Sequence, residues 1–356
     1  MALKCRDFDV KAITTVAGNV DLNLATINAL YTVELCKKNT PIFKGSSSPL
    51  KRRLETSKFF HGKDGLGDTG PYEPKRKEEK ENGVEKIISL INSYPNEIEI
   101  IAIGPLTNIA KAFMKDNSIK NKIKSLYVMG GIGEGKGNIT EHAEFNFWVD
   151  PDAADIVLNS GVEVKVIAWD TTQLYGYLNK SNFEDLEKIN TSLSRFAIDI
   201  QQRGLEYYKI KYNEHKIDLA DPLAMAAMID DSETEYKSCN IKMILSGEER
   251  GKDIISFSEG GKVKLASKIS RNNFLNNLEN KSLGHLLTAF ISTILLTPFD
   301  KFKIMSQYNV KYDVNMRTFV KSYRNLHIVS AAEIPSTFLY FYVYQNMKTQ
   351  QLPIFV

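Results

Sequence analysis

Cysteine is scarce in this chain, and the three cysteines present predict neither a disulfide framework nor a zinc site. Cys5, Cys36 and Cys239 are odd in number and lie far apart along 356 residues. Domains held together by disulfides usually carry an even number of cysteines, and zinc sites carry them in closely spaced pairs. We therefore expect a reducing compartment such as the cytoplasm.

The chain also lacks a large excess of positive or negative residues. The chain has 46 Lys and Arg against 43 Asp and Glu, a net charge of +3, which is too small to predict a nucleic-acid partner. Its first residues are too polar for a signal peptide and lack the Arg and Ser richness of a transit peptide. The composition, 43% hydrophobic and 25% charged, is ordinary for a globular protein with a sizeable core.

Apolar runs of strand length alternate with longer amphipathic stretches through most of the chain. The predicted strands are Lys11–Val16, Ile98–Ile103, Ser125–Met129, Val164–Trp169 and Ile241–Leu245. The predicted helices are Leu22–Lys38, Gly83–Ser93, Asn108–Asp116, Pro151–Ser160, Asn182–Tyr208 and Pro222–Asp230. Continuous apolar strands alternating with helices predict an α/β fold with a mainly parallel sheet covered on both faces.

This alternation stops near residues 272–282, where we place a domain boundary, giving predicted domains 1–278 and 279–356. The segment Leu283–Phe299 contains no Asp, Glu, Lys or Arg and is at the short limit for a membrane span. A second apolar and aromatic stretch, Ile334–Tyr344, follows a basic linker. We expect these two stretches to form an apolar helix pair.

Two polar stretches follow predicted strands at the positions where α/β sheets present ligands. Asn19 follows the strand that ends at Val16, and Thr107 follows the turn made by Gly104 and Pro105. In open α/β sheets, ligands bind outside the carboxyl ends of the strands. The backbone groups near Thr107 could face a ligand or a cation. The alternative is an ordinary strand-to-helix turn with a helix N-cap.

A third stretch combines glycines with one carboxylate and two carboxamides. The strand ending at Met129 is followed by a glycine pair and then by Asn138, Glu144 and Asn146. In an extended segment, Glu144 and Asn146 would point to one side. Such a set suits a polyol such as ribose, because it offers several hydrogen-bond donors and acceptors. The glycine-rich run matches neither a dinucleotide fingerprint nor a Walker loop.

The remaining polar candidates are single residues. Asp221 precedes Pro222, and it could be a plain helix N-cap or the ligand of a hard cation. His61 lies in a glycine-rich loop with Asp64 and Asp68, where a lone histidine is more often exposed and inert.

Short motifs in a single order along residues 1–278 carry a family resemblance: "ITTVAGN", "HGKDGLGD", "GPLTNIA", "VMGG", "GNITEHAEFN", "VDPDAA" and "ADPLAMA". Together they resemble the inosine–uridine nucleoside hydrolase family. The resemblance implies hydrolysis of the N-glycosidic bond of ribonucleosides to ribose and free base. It also implies one tightly held Ca²⁺ and a homo-oligomer, since the family usually forms dimers or tetramers.

The resemblance also assigns roles to individual residues. Those that would hold the ribose are Asn19, Asn138, Glu144 and Asn146, with Met129 lining the pocket. The Thr107 carbonyl and the Asp221 carboxylate would bind Ca²⁺, and His61 matches a histidine near the base. Ca²⁺ prefers such oxygen ligands.

Two departures from the family pattern bear on catalysis. Ala220 stands where many members carry a histidine that can protonate the leaving base. The family's opening strand and aspartate cluster, D-x-D-P-G-x-D-D, have no counterpart, because "MAL" aligns with the helix after that cluster. The cluster supplies Ca²⁺ ligands and the general base, so we expect an N-terminally truncated domain without an assignable catalytic residue. Weak Ca²⁺ binding and negligible turnover follow, and the alternative function is a catalytically inactive ribose- or nucleoside-binding or scaffold protein.

The C-terminal segment has a resemblance of its own. The residues Pro298, Asp300 and Lys303 fit the P-x-[DE]-x-x-[KR] signature of the mitochondrial carrier family, and Tyr344 and Lys348 fit the pattern of its even-numbered helix. The match covers one partial repeat of three, so it predicts no transport. It implies membrane association of residues 283–348, at the mitochondrial inner membrane if the tail is genuine.

Overall fold

The computed structural model describes residues 1–5 and 7–283, with side chains described up to residue 279. The strands are β1 (Ile13–Thr15), β2 (Ile42–Lys44), β3 (Glu99–Ala102), β4 (Ser125–Met129), β5 (Val164–Ile167), β6 (Tyr177–Asn179), β7 (Lys216–Asp218), β8 (Thr234–Met243), β9 (Asp253–Phe257) and β10 (Val263–Ile269). The carrier-like residues Pro298, Asp300, Lys303, Tyr344 and Lys348 lie outside the described residues, and so does the predicted apolar helix pair apart from Leu283.

The helices are α1 (Leu22–Leu35), α2 (Lys58–His61), α3 (Gly83–Ser93), α4 (Thr107–Lys115), α5 (Phe145–Val149), α6 (Pro151–Leu158), α7 (Trp169–Tyr175), α8 (Lys180–Ile189), α9 (Ser192–Asp199), α10 (Gln202–Tyr212), α11 (Ala220–Ile229) and α12 (Arg271–Leu283). None of these helices, which cover the described part of the chain, is both long enough and apolar enough to cross a membrane.

The central sheet is mixed, whereas the sequence predicts a mainly parallel one. Its strand order is β3-β4-β5-β10-β8-β9. The four strands from β3 to β10 pair in parallel, and β8 pairs antiparallel with both β10 and β9. Along β8, exposed residues such as Asn240 and Lys242 alternate with buried Cys239 and Ile241, the pattern of a half-solvated antiparallel strand. The predicted strand Ile241–Leu245 overlaps only the end of β8, because the first part of β8 is not a continuous apolar run.

Two small sheets accompany the central one. Strands β1 and β2 pair in parallel, with Ile13 opposite Ile42. Strands β6 and β7 pair antiparallel, with Tyr177 opposite Asp218. The strand β1 is shorter than the predicted Lys11–Val16, and β2 is too short for its apolar pattern to be recognised in the sequence.

The predicted helix Asn182–Tyr208 is three helices, α8, α9 and α10. The helix α8 ends at Asn190, which adopts a left-handed conformation with φ 49°. The next residue, Thr191, caps α9 by accepting a hydrogen bond from the Ser194 backbone N–H. A left-handed residue followed by a capping residue ends one helix and begins another.

The core lies on both faces of the central sheet, and β4 contributes to each side. Leu126 and Val128 pack into one hydrophobic cluster with α3, α4 and α6, while Tyr127 and Met129 pack into the other with α8, α11 and α12. Successive side chains of a strand point to opposite faces. As a result, β4 is fixed from both sides, and the loop after Met129 leaves a rigid strand end.

Candidate functional site

Glu144 is a buried carboxylate held by backbone N–H groups from two segments. Its side chain is 2% exposed. It accepts hydrogen bonds from the N–H of Gly131 at 3.1 Å, of Asn146 at 2.9 Å and of Phe147 at 3.3 Å. It is the N-cap of α5, so the expectation that Glu144 and Asn146 lie in an extended segment is wrong. The acidic N-cap suits the positive end of the helix dipole.

Burial raises the pKa of Glu144 to about 8, and the negative charge of Asp221 acts in the same direction. The three donated N–H groups act in the opposite direction, because they stabilise the charged form. The group is therefore able to titrate near neutral pH.

Asn146 and Met129 join α5 to the end of β4. The Asn146 side-chain amide donates to the Met129 carbonyl and also contacts its sulfur, both at 3.2 Å. Among the described residues, none donates to the Asn146 side-chain oxygen. Asn138 lies nearby in the preceding loop, where its side-chain oxygen accepts from the Phe145 N–H at 2.9 Å. These contacts bring together Met129, Asn138, Glu144 and Asn146.

Thr107 begins α4, and its side chain is engaged in the interior. It is 1% exposed, and its hydroxyl donates to Asp150 at 2.6 Å. Asp150 also accepts from the backbone N–H groups of Leu50, at 2.9 Å, and Ala153, at 3.1 Å. Leu106 takes the N-cap position of α4 without a side-chain cap hydrogen bond, and Thr107 is the first residue of the helix.

Asn108 ties the start of α4 to the first two strands. Its side chain accepts from the Ser46 N–H at 2.8 Å and donates to the Thr15 carbonyl at 2.9 Å. Gly45 is required beside it, because a Cβ there would lie 2.3 Å from the Asn108 amide nitrogen. This contact aligns the loops that follow β1 and β2 with the loop that follows β3.

Asn19 lies in the loop after β1 and pairs with Ser57. The Ser57 hydroxyl donates to the Asn19 side-chain oxygen at 2.7 Å, and the Ser57 N–H donates to the Asn19 carbonyl at 3.1 Å. No acceptor for the Asn19 side-chain amide occurs within residues 1–5 and 7–283. The Asn19 amide is therefore free to donate to a ligand.

Asp221 is the second residue of α11, after Ala220, so it is not the N-cap that the sequence allowed. Within the described part of the chain it has no hydrogen bond and no ion pair. Asp221 is half-buried, and the protein around its carboxylate removes part of the water and raises its pKa to about 7. An unpaired carboxylate in such surroundings is costly and is the kind of group that a cation or a hydrogen-bond donor would satisfy.

His61 ends α2 and packs in an aromatic cluster. Its ring meets Phe60 at 4.9 Å, and Phe60 in turn meets Tyr207 at 5.4 Å and Tyr208 at 6.2 Å. Burial lowers the pKa of His61 to about 4, so the imidazole is neutral at physiological pH. His61 is half-buried, whereas a lone histidine in a glycine-rich loop is more often exposed.

The acidic residues of the His61 loop are used within the protein. Asp64 accepts hydrogen bonds from the backbone N–H groups of Leu66, Asp68 and Gly70. Asp68 forms an ion pair with Arg203 at 2.6 Å. Their carboxylates stabilise the loop rather than a ligand.

The residues present do not make a complete Ca²⁺ site. Among residues 1–5 and 7–283, no group of three or more His, Cys, Asp and Glu side chains is placed to hold a metal ion. The predicted ligands Asp221 and the Thr107 carbonyl fall short of the ~6–8 oxygens that Ca²⁺ takes.

Asp253 is a further buried carboxylate at this site that the sequence did not indicate. It is 5% exposed and accepts from the N–H groups of Ile132 at 2.9 Å and Gly133 at 3.2 Å. The contact joins residues 121 positions apart, so no local motif could have predicted it.

The comparisons with known proteins agree with this geometry. Residues 1–276 match the family model described as "Inosine-uridine preferring nucleoside hydrolase". The chain is 32% identical over 250 residues to Uridine nucleosidase 1 of Arabidopsis thaliana, covering 69% of this chain and 74% of that one. It is 32% identical over 249 residues to the inosine-uridine preferring nucleoside hydrolase of Crithidia fasciculata, covering 68% and 77%.

A solved structure of a plant nucleoside hydrolase superposes with a TM-score of 0.76 at 30% identity, covering 79% of this chain and 93% of the other. A purine-preferring ribonucleoside hydrolase from Gardnerella vaginalis superposes with a TM-score of 0.74 at 28% identity, with the same coverage of 79% and 93%. The chain belongs to the inosine-uridine preferring nucleoside hydrolase family.

Proposed function

We propose that this protein acts on ribonucleosides and that its chemistry is hydrolysis of the N-glycosidic bond to ribose and free base. The observation that carries the proposal is the buried Glu144 carboxylate, which three backbone N–H groups hold beside Asn146 at the end of β4. In the reaction, the oxygen of water bonds to the anomeric carbon as the carbon–nitrogen bond breaks. The base leaves with the bonding electron pair and gains a proton.

The sugar is the part of the substrate that these residues suit. Glu144 would accept hydrogen bonds from ribose hydroxyls, and the carboxamides of Asn19, Asn138 and Asn146 can each donate and accept. Hydroxyl donors stabilise the charged carboxylate, so binding would lower the pKa of Glu144 from its value of about 8 in the empty site. Negative charge at Glu144 and Asp221 would also stabilise the positive charge that develops on ribose in the transition state.

The leaving base would have fewer partners than the sugar. Ala220 supplies no acid next to Asp221, and His61, with its pKa of about 4, is in its neutral form at neutral pH and is therefore a poor acid. We propose that neutral His61 contacts the base as a hydrogen-bond partner and that the base takes its proton from another source.

The second candidate is a protein that binds ribonucleosides without turning them over, or that serves as a scaffold. It is favoured by the absence, within residues 1–5 and 7–283, of a metal-holding group of side chains. The sugar-holding residues serve either candidate equally, so we propose that the chain as given binds nucleosides and has low turnover.

A reducing-sugar assay on the purified chain separates the two candidates. Uridine and inosine are incubated with the protein, with and without added Ca²⁺, while calorimetry measures uridine binding. Ribose release above the no-enzyme rate supports hydrolysis. Binding without release supports the second candidate, and neither binding nor release contradicts both.

The resemblance carries two further proposals, which the described residues leave open. One is assembly into a homo-oligomer, which light scattering on the purified chain tests. The other is membrane association of residues 283–348, which flotation with liposomes tests by comparing the full chain with a chain ending at residue 278.

A further inference from the structure

The segment Arg250–Asp253, which ends the loop of the β8–β9 hairpin and begins β9, contacts both structural elements that hold Glu144. At one end, the Arg250 guanidinium stacks 3.8 Å from the centre of the Trp148 ring. Gly251 is required there, because its φ is +84° and a Cβ would lie 2.6 Å from the Trp148 Cα. Trp148 belongs to α5, the helix that Glu144 caps. The hairpin therefore packs directly against the helix of the sugar-holding residues.

At the other end of this segment, Asp253 binds the loop that follows β4. Its two carboxylate oxygens accept from the N–H groups of Ile132 and Gly133. The preceding N–H, that of Gly131, donates to Glu144 at 3.1 Å. Three consecutive N–H groups of one loop are thus divided between two buried carboxylates.

The loop has little freedom between these carboxylates. Gly131 and Gly133 adopt φ values of +80° and +70°, which side chains with a Cβ rarely adopt. A Cβ on Gly131 would lie 2.8 Å from an Asp253 oxygen, and one on Gly133 would lie 2.3 Å from Asp170. The conformation that presents the Gly131 N–H to Glu144 is consequently tied to the contact with Asp253.

We propose that Asp253 is a positioning residue for sugar binding: by holding the Ile132 and Gly133 N–H groups, it fixes the Gly131 N–H that orients the Glu144 carboxylate. This inference rests on the proposed function, because it takes Glu144 as the group that meets the sugar. Asp253 itself does not touch the sugar. Its effect on binding passes through the loop.

The test compares the full-length protein with Asp253→Asn, in which one acceptor oxygen becomes a donor. The control is Asp116→Asn, which changes an exposed carboxylate that accepts from the Ser118 N–H. Amide hydrogen exchange at Ile132 and Gly133, the uridine dissociation constant and the melting temperature are measured where every variant is folded. A merely structural role would lower the melting temperature of Asp253→Asn and leave the dissociation constant of the folded protein unchanged.

We expect Asp253→Asn to speed exchange at these two amides and to weaken uridine binding by about tenfold, the effect of losing roughly one charged hydrogen bond. We expect Asp116→Asn to change neither. Faster exchange with unchanged uridine affinity would overturn the inference alone. Failure of the unmodified chain to bind uridine would overturn the proposed function and with it the inference.

A measurement on the unmodified chain applies even if Asp253→Asn does not fold. Uridine should slow amide exchange at Gly131, Ile132 and Gly133 together, since Glu144 and Asp253 hold this loop as one unit. Unchanged exchange at all three amides under saturating uridine would contradict the coupling.

Discussion

At the scale of single residues, Glu144 and Asp221 are both carboxyls with raised pKa values, but their surroundings differ. Glu144 accepts three backbone N–H groups, whereas Asp221 has no partner among the described residues. Burial acts on both, raising the pKa to about 8 for Glu144 and to about 7 for Asp221. The Glu144 carboxylate is held in place by its backbone partners, whereas the charge of the Asp221 carboxylate is not balanced by any described protein group.

Substituting Glu144 with Gln should reduce the pH dependence of stability. The folded-state pKa of about 8 lies above the ordinary value of 4.5, so the folded protein binds more protons than the unfolded chain between these values. Stability from this group is present at low pH and is lost as the pH rises through about 8. Urea unfolding at pH 6 and at pH 8.5 should show a smaller difference for Glu144→Gln than for the unmodified chain. An equal difference would mean that Glu144 titrates normally.

Substituting Asp221 with Asn should stabilise the protein at pH 8 in the presence of a chelator. The change removes an unpaired charge from poorly hydrated surroundings, and we expect a gain on the order of 1–3 kcal/mol in the free energy of unfolding. Thermal unfolding in EDTA measures the change. Any stabilisation of the unmodified chain by added Ca²⁺ should disappear in this variant. A lower melting temperature for Asp221→Asn in EDTA would show that Asp221 has a stabilising partner.

At the scale of elements, the site depends on contacts that join the ends of strands to the starts of helices. Asp150 receives the Thr107 hydroxyl of α4 and the Ala153 N–H of α6. Asn108 of α4 reaches the loops after β1 and β2. Beyond the strand ends, where backbone pairing stops, these side-chain hydrogen bonds fix the loops around the site relative to one another.

Thr107→Val should destabilise the protein more than Thr107→Ser. Valine has nearly the shape of threonine but lacks the hydroxyl, leaving the 0% exposed Asp150 without one of its donors. We expect a loss of about 1–3 kcal/mol in the free energy of unfolding for Val. Serine keeps the hydroxyl and loses only a methyl group. Urea titrations of the two variants decide the matter, and equal stabilities would show that the hydrogen bond contributes little.

At the scale of the whole molecule, the sequence predicted best what is encoded locally. The strand Ser125–Met129 and the helix Gly83–Ser93 have the predicted bounds, since continuous apolar runs bounded by polar or glycine residues are clear signals. Glu144 and Asn146 can be proposed as site residues from the sequence, because their motif spans few residues. The mixed sheet was not predicted, because the alternating pattern of β8 differs from that of the buried parallel strands.

Long-range contacts account for what the sequence could not predict at the site. Asp253 meets its loop across 121 positions, and Asp150 meets Leu50 across 100. No spacing rule connects residues so far apart. Asp150 lies in the quoted motif "VDPDAA", but that motif does not indicate its contact with Leu50, and Asp253 lies in no quoted motif. The contacts by which buried carboxylates fix loops are therefore seen only in the folded structure, although the loops themselves can be recognised in the sequence.

The most direct test of the central claim is calorimetric titration of the purified full-length chain with uridine, repeated in excess ribose and with Glu144→Gln. We predict that uridine binds, that ribose competes, and that Glu144→Gln weakens binding by about tenfold, the loss of roughly one charged hydrogen bond. Uridine binding that ribose does not affect and that Glu144→Gln leaves unchanged would contradict the assignment of this site to the sugar.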